Sequence, residues 1–118
     1  MTNDTASINY IQQLRFYFRK PANVDVYLAC VGSRRVGYLL LRREGPTMLI
    51  TEAVDEPFRG AGIATRMVQY AQRLYADLTA EILAGNVASI NLHKGAGFIL
   101  ESAHGKVQTF RYTRRASD

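Results

Sequence analysis

Residues 54–64 read Val54-Asp55-Glu56-Pro57-Phe58-Arg59-Gly60-Ala61-Gly62-Ile63-Ala64, a glycine-rich turn between an apolar strand and an amphipathic helix. Gly60 and Gly62 permit backbone angles that side chains forbid, and the amides at the start of the helix have no intrahelical partner. The helix start adds about half a positive charge and Arg59 a full one, so the turn reads as a cradle for an anion, a diphosphate above all. It is neither of two familiar phosphate loops. No Lys-Ser/Thr follows the glycines, as a P-loop requires, and the third, spaced glycine of the dinucleotide fingerprint is missing. The plain alternative is a tight turn without a ligand.

Upstream of this turn lie three apolar runs, Val24–Val31, Val36–Arg42 and Thr47–Val54, separated by short polar connections that join antiparallel neighbours, so a three-stranded meander is expected. Before them, Ser7 to Arg19 sets Ile8, Ile11, Leu14 and Phe18 on one helical face and reads as a helix stopped by Pro21. Leu14, Phe16 and Phe18 also alternate with Arg15, Tyr17 and Arg19, which is a strand pattern. Downstream, Ile63, Met67, Tyr70, Ala71, Leu74 and Leu78 repeat at helical spacing and mark a long helix with one buried stripe. Leu78 to Ala84 returns to strand character. A strand, helix and strand in this order close as a right-handed parallel crossover, which sets the strand ending at Val54 beside the one ending at Ala84. Asn86 to Lys94 reads as a shorter helix, and Phe98–Glu101 with Val107–Thr113 as a closing antiparallel pair. The fold class is α+β with a mostly antiparallel sheet.

A chain of 118 residues suits one domain, and no apolar run approaches the roughly 18 residues of a membrane span. The first residues lack the basic and apolar regions of a secretory signal. The single cysteine, Cys30, has no internal disulfide partner and reads as a small buried hydrophobe, so a reducing, cytoplasmic setting is the expectation. A net charge of +5 favours anionic partners, yet the basic residues are scattered in pairs such as Arg34-Arg35 and Arg42-Arg43, without the run or aromatic ladder of a nucleic-acid surface. His93 and His104 are too few, without partnering cysteines, for a metal site.

Arg-x-x-Gly-x-Ala from Arg59 to Ala64, with Val54 at the strand end before it, resembles the acetyl-CoA loop of the GCN5-related N-acetyltransferase (GNAT) family. A second block agrees. Asn86, Ser89, Leu92, Gly97 and Phe98 fall in step with that family's Asn-x-x-Ala/Ser-x-x-Leu-Tyr block and the Gly-Phe that follows it. The resemblance covers about residues 22–113 and implies a GNAT-like, acyl-CoA N-acyltransferase fold, splayed between the strands ending at Val54 and Ala84. It implies acetyl-CoA as cofactor, with Val54, Arg59, Gly60, Ala61, Gly62, Ile63 and Ala64 on the pantetheine arm and diphosphate and Asn86 on the arm or acceptor. The implied reaction moves an acetyl group to the primary amine of a small molecule, protein or peptide, by direct attack in a ternary complex.

The sequence departs from that pattern in two ways. The family's first strand and helix have no room, so the acceptor side is expected to be open or shared in a homodimer. Where the family carries a tyrosine that protonates the leaving thiolate, this chain has His93. An imidazolium with a pKa near 6.5 is the better acid for a thiol near 8.5, although only about one-quarter is protonated at pH 7. His93 therefore stands either as that acid or as a polar residue at the cleft edge, near the sulfur in both cases. The amine needs a base, for which the resemblance favours Glu81, five residues before Asn86, where some family members that acetylate protein N-termini carry a catalytic glutamate, over Glu52, which shares the side-chain parity of Val54. The alternative function is a catalytically silent CoA-binding or regulatory domain of the same fold.

Overall fold

A computed structural model describes residues 11–21 and 23–114. Among them, strands β1 (Leu14–Arg19), β2 (Val24–Val31), β3 (Arg34–Glu44) and β4 (Thr47–Val54) run as an antiparallel meander. Helix α1 (Ile63–Leu74) crosses over to β5 (Asp77–Leu83), and helix α2 (Val87–Gly95) leads to the hairpin of β6 (Ile99–His104) and β7 (Val107–Thr113). The strands form one sheet in the order β1-β2-β3-β4-β5-β7-β6, with β4 and β5 as its parallel neighbours. This is the α+β, mostly antiparallel arrangement expected from the apolar pattern.

The helix expected over Ser7–Arg19 is corrected. Its first four residues lie outside the described residues; 11–13 are helical and 14–19 form β1. Both periodicities are present in this stretch, and the ladder decides between them, since every residue of β1 pairs with β2 from Leu14↔Val31 to Arg19↔Val26. Aromatic contacts reinforce the strand: Phe18 lies 5.0 Å from its cross-strand partner Tyr27, and Phe16 stacks on Tyr70 of α1 at 4.4 Å. Cys30, expected to be buried, is half-buried beside a bulge in the pairing of β2 with β3.

Helix α1 lays Ile63, Met67, Val68 and Ala71 on the sheet. It ends at Leu74, earlier than the periodicity suggests. Tyr75 leaves the helix with an extended backbone, and Leu78 belongs to β5, where it is fully buried. The core lies between α1, α2 and one face of the sheet, centred on Leu39, Leu41, Ile50, Val68, Leu78 and Phe110. A second cluster of Leu14, Ala29, Val36, Phe58, Ile63 and Met67 sits under the glycine turn. Complete burial of a side chain such as Met67 contributes about 1.5–3 kcal/mol, so this cluster anchors the turn from below.

The feature that positions the site is a split in the sheet. β4 and β5 pair only at Met48↔Leu78 and Leu49↔Thr79, whereas β4 stays on β3 as far as Val54↔Gly37 and β5 stays on β7 along its whole length. From Ile50 onward the two parallel strands therefore diverge, and their carboxyl ends open a wedge between α1 and α2.

Candidate active site

The turn after β4 is pinned before it reaches the glycines. Asp55 N–H donates to the Val36 carbonyl at 2.7 Å, and a single 3₁₀ turn, Glu56–Phe58, drives the Phe58 ring into the core. Gly60 and Gly62 then take φ of 82° and 85°, in the left-handed region where a side chain is strained. Gly62 is the N-cap of α1 and no side chain caps it. The first bond along the helix is donated by Arg66 N–H to the Gly62 carbonyl, leaving the amides of Ile63, Ala64 and Thr65 without an acceptor among the described residues. Arg59, exposed beside them, donates through Nε to the Val54 carbonyl at 3.1 Å.

These groups face a cavity of about 730 Å³ in the wedge between β4 and α2. Val54, Arg59, Gly60, Gly62, Ile63 and Ala64 line it from the strand end and the turn, Asn86 lines it from the start of α2, and Glu52 from β4. Ala61 belongs to the turn but is absent from that lining, and Glu81 is exposed on β5 away from it. Thr65, Ala88 and Ser89 also line the cavity and were missed as site residues, although each is one or a few positions from a motif residue. Asn86 also caps α2, its Oδ1 accepting from Ser89 N–H at 3.2 Å. A larger hollow of about 840 Å³ outside α1 contains none of the expected site residues.

His93 occupies an unexpected place. Its ring is 1% exposed and is absent from the cavity lining; it packs edge-to-face on Phe98 at 5.0 Å, behind Glu52. Nδ1 lies 2.7 Å from the Ser89 carbonyl, which only accepts, so Nδ1 carries a hydrogen and donates it. Nε2 lies 2.9 Å from Glu52 Oε1, an ion-pair contact that falls short of an aligned hydrogen bond, and the other carboxylate oxygen, Oε2, has no hydrogen-bond partner among the described residues. Burial alone depresses the imidazolium, but the Glu52 carboxylate and the Ser89 carbonyl outweigh it and raise the His93 pKa above the ordinary 6.5. The site therefore couples a row of free amides suited to an anion with a buried carboxylate whose second oxygen is unsatisfied.

A profile of the Acetyltransferase (GNAT) family matches residues 3–98. No individually curated protein matches the sequence. Among solved structures, 254 chains match. One is RimL, a ribosomal L7/L12 alpha-N-protein acetyltransferase in complex with coenzyme A, at 21% identity and a TM-score of 0.70, covering 78% of this chain and 63% of that one. The chain thus spans slightly less than two-thirds of that protein. An acetyltransferase of Bacillus subtilis in complex with CoA, at 12% identity, has a TM-score of 0.75 over 86% of this chain and 99% of that one. The Campylobacter jejuni N-acetyltransferase PseH in complex with acetyl coenzyme A, at 11% identity, has a TM-score of 0.68 over 80% and 71%. At these identities the likeness is one of fold.

Proposed function

The chain belongs to the acetyltransferase (GNAT) family, and from that premise we propose that it transfers an acetyl group from acetyl-CoA to a primary amine in the wedge between β4 and β5. The observation that carries this reading is the uncapped start of α1, with its free amides at one wall of a cavity and the carboxylate-bearing Glu52 at another. When bound, acetyl-CoA supplies a thioester whose carbonyl carbon an amine attacks as the thiol departs. The amides of Ile63, Ala64 and Thr65 and the Arg59 guanidinium would hold its diphosphate. Gly60 suits that close approach, since a Cβ built there meets no atom within 4 Å and the space belongs to the ligand side. The Val54 carbonyl, which accepts from Arg59, would turn to the pantetheine arm once the guanidinium moves to the anion.

Glu52 would receive the amine's proton. A free alkyl ammonium with a pKa near 10.4 is almost wholly protonated at pH 7, so attack requires a base. Glu52 lines the cavity and Glu81 does not, which favours Glu52 over the residue preferred from sequence. Thiol release from acetyl-CoA, measured with peptides, polyamines, amino acids and aminoglycosides, tests the reading. At least one amine class should give turnover, and Glu52→Gln should lower kcat by about 10²-fold or more, the usual reach of a general base, with acetyl-CoA affinity unchanged. Full turnover in Glu52→Gln would remove the base assignment. Acetyl-CoA binding without thiol release from any amine would favour a silent CoA-binding domain.

A further inference from the structure

His93 Nε2 and Glu52 Oε1 stand 2.9 Å apart in a buried site, near enough for a proton to pass between the two groups once they align. Because the Ser89 carbonyl holds the His93 hydrogen at Nδ1, a neutral ring would turn a bare Nε2 lone pair toward the Glu52 carboxylate. That lone pair is where the ring would take up a proton handed on by the carboxylate. The charge facing the ring is that of Glu52 on β4; α2 contributes only the Ser89 carbonyl and hydroxyl, and the chain after α2 contributes the Phe98 ring. Glu52 reaches the cavity, His93 does not, and Glu52 Oε2 is unpartnered.

We propose that Glu52 and His93 form one proton-accepting unit, in which the Glu52 carboxylate meets the acceptor amine and the His93 ring stores the proton behind it. This deepens the acetyltransfer reading and rests on it. His93 is then a positioning residue for the amine side of the reaction, not the acid for the departing sulfur. As the amine nitrogen bonds to the acetyl carbon, its N–H bond breaks and the Glu52 carboxylate takes the proton, while the C–S electron pair leaves with the sulfur, whose proton comes from water. The neutral carboxyl turns about its Cγ–Cδ bond and gives the proton to Nε2, which restores the carboxylate. The imidazolium later returns the proton through Glu52 to solvent. A lone carboxylate of ordinary pKa near 4.3 is a weak base for an amine; an imidazole, ordinarily near 6.5 and here raised by the Glu52 carboxylate, holds the proton more firmly.

Two measurements test this, and the first needs no substrate. Side-chain ¹⁵N spectra of the intact protein, with the His104 signals identified by His104→Ala, should show His93 Nδ1 protonated at every pH and Nε2 gaining its proton with a midpoint above 6.5. Glu52→Gln should lower that midpoint. A bare Nδ1, or a midpoint unmoved in Glu52→Gln, overturns the unit. The second is the pH profile of thiol release. Turnover should fall on the acid side as the pair loads, and His93→Gln should move this acid limb at least one pH unit lower while keeping the alkaline limb. Loss of the alkaline limb with the acid limb unmoved would make His93 the acid for the sulfur and overturn the proposal. If the spectra behave as expected but no amine turns over, the acetyltransfer reading fails, and with it the base role, leaving only a buried ion pair.

Discussion

His93 fills with a polar ring a position that the core would otherwise give to an apolar residue, and its pairing with Glu52 has a pH signature of its own. The pair raises the folded-state pKa of His93 above the ordinary 6.5. A raised pKa means that the folded state binds the proton more tightly than the unfolded chain, so the stabilisation is complete below about 6.5 and is lost as pH rises through the folded value. Urea midpoints should therefore fall between neutral and mildly alkaline pH, and Glu52→Gln should flatten this slope. A wild-type midpoint that stays constant or rises in this window would contradict the pairing. The acid side has a separate cause. Arg111 grips Asp77 through Nε and Nη2 at 3.1 and 2.6 Å and holds its carboxyl below the ordinary 3.8, so that stabilisation is present above this value and is lost as pH falls through the lowered one.

The elements around the wedge owe their placement to one close approach. Gly37 of β3 faces Val54 across the ladder, and a Cβ built on it would collide with the Ala53 carbonyl and stand 2.9 Å from Met67 Cε. β4 and α1 are thus drawn against β3 where the site begins, and Gly37→Ala should destabilise the fold by about 1–3 kcal/mol through overpacking. Chemical denaturation checks this; a stability equal to wild type would mean that β4 yields freely. Gly37 lies in an apolar run and gave no sequence signal, because its constraint comes from a neighbouring strand and a helix. Where the constraint was local, the sequence was legible: the glycine turn, the meander and the parallel crossover follow from turn residues and periodicity. At Leu14–Arg19 two periodicities coexist, and only pairing with β2 chooses the strand. Glu52 drew notice as a candidate base and His93 as the residue in place of the family's tyrosine, but their contact joins β4 to α2 and has no sequence spacing to reveal it. The Ser89 carbonyl bond to His93 was within reach, since residues four apart share a helix face.

Across the whole molecule, the sheet behaves as two leaves, β1 to β4 and β5 to β6, hinged at two paired residues of β4 and β5. α1 closes one side of the gap with its uncapped start, and the net charge of +5 draws anions toward it over long range. Acetyl transfer in the wedge requires that acetyl-CoA bind at that helix start. The direct measurement is the melting temperature with and without acetyl-CoA, in the wild type and in Gly62→Asp. A Cβ at Gly62 meets only Ile11 Cδ1, at an ordinary 3.7 Å, so the variant should fold, with a backbone cost of about 1–2 kcal/mol for its left-handed conformation. At a hundred times the dissociation constant, ligand should stabilise the wild type by about 2.7 kcal/mol, a rise on the order of 10 °C. The folded variant, with a negative charge set against the diphosphate, should show no rise; an equal rise in both proteins would place the cofactor elsewhere and contradict the account.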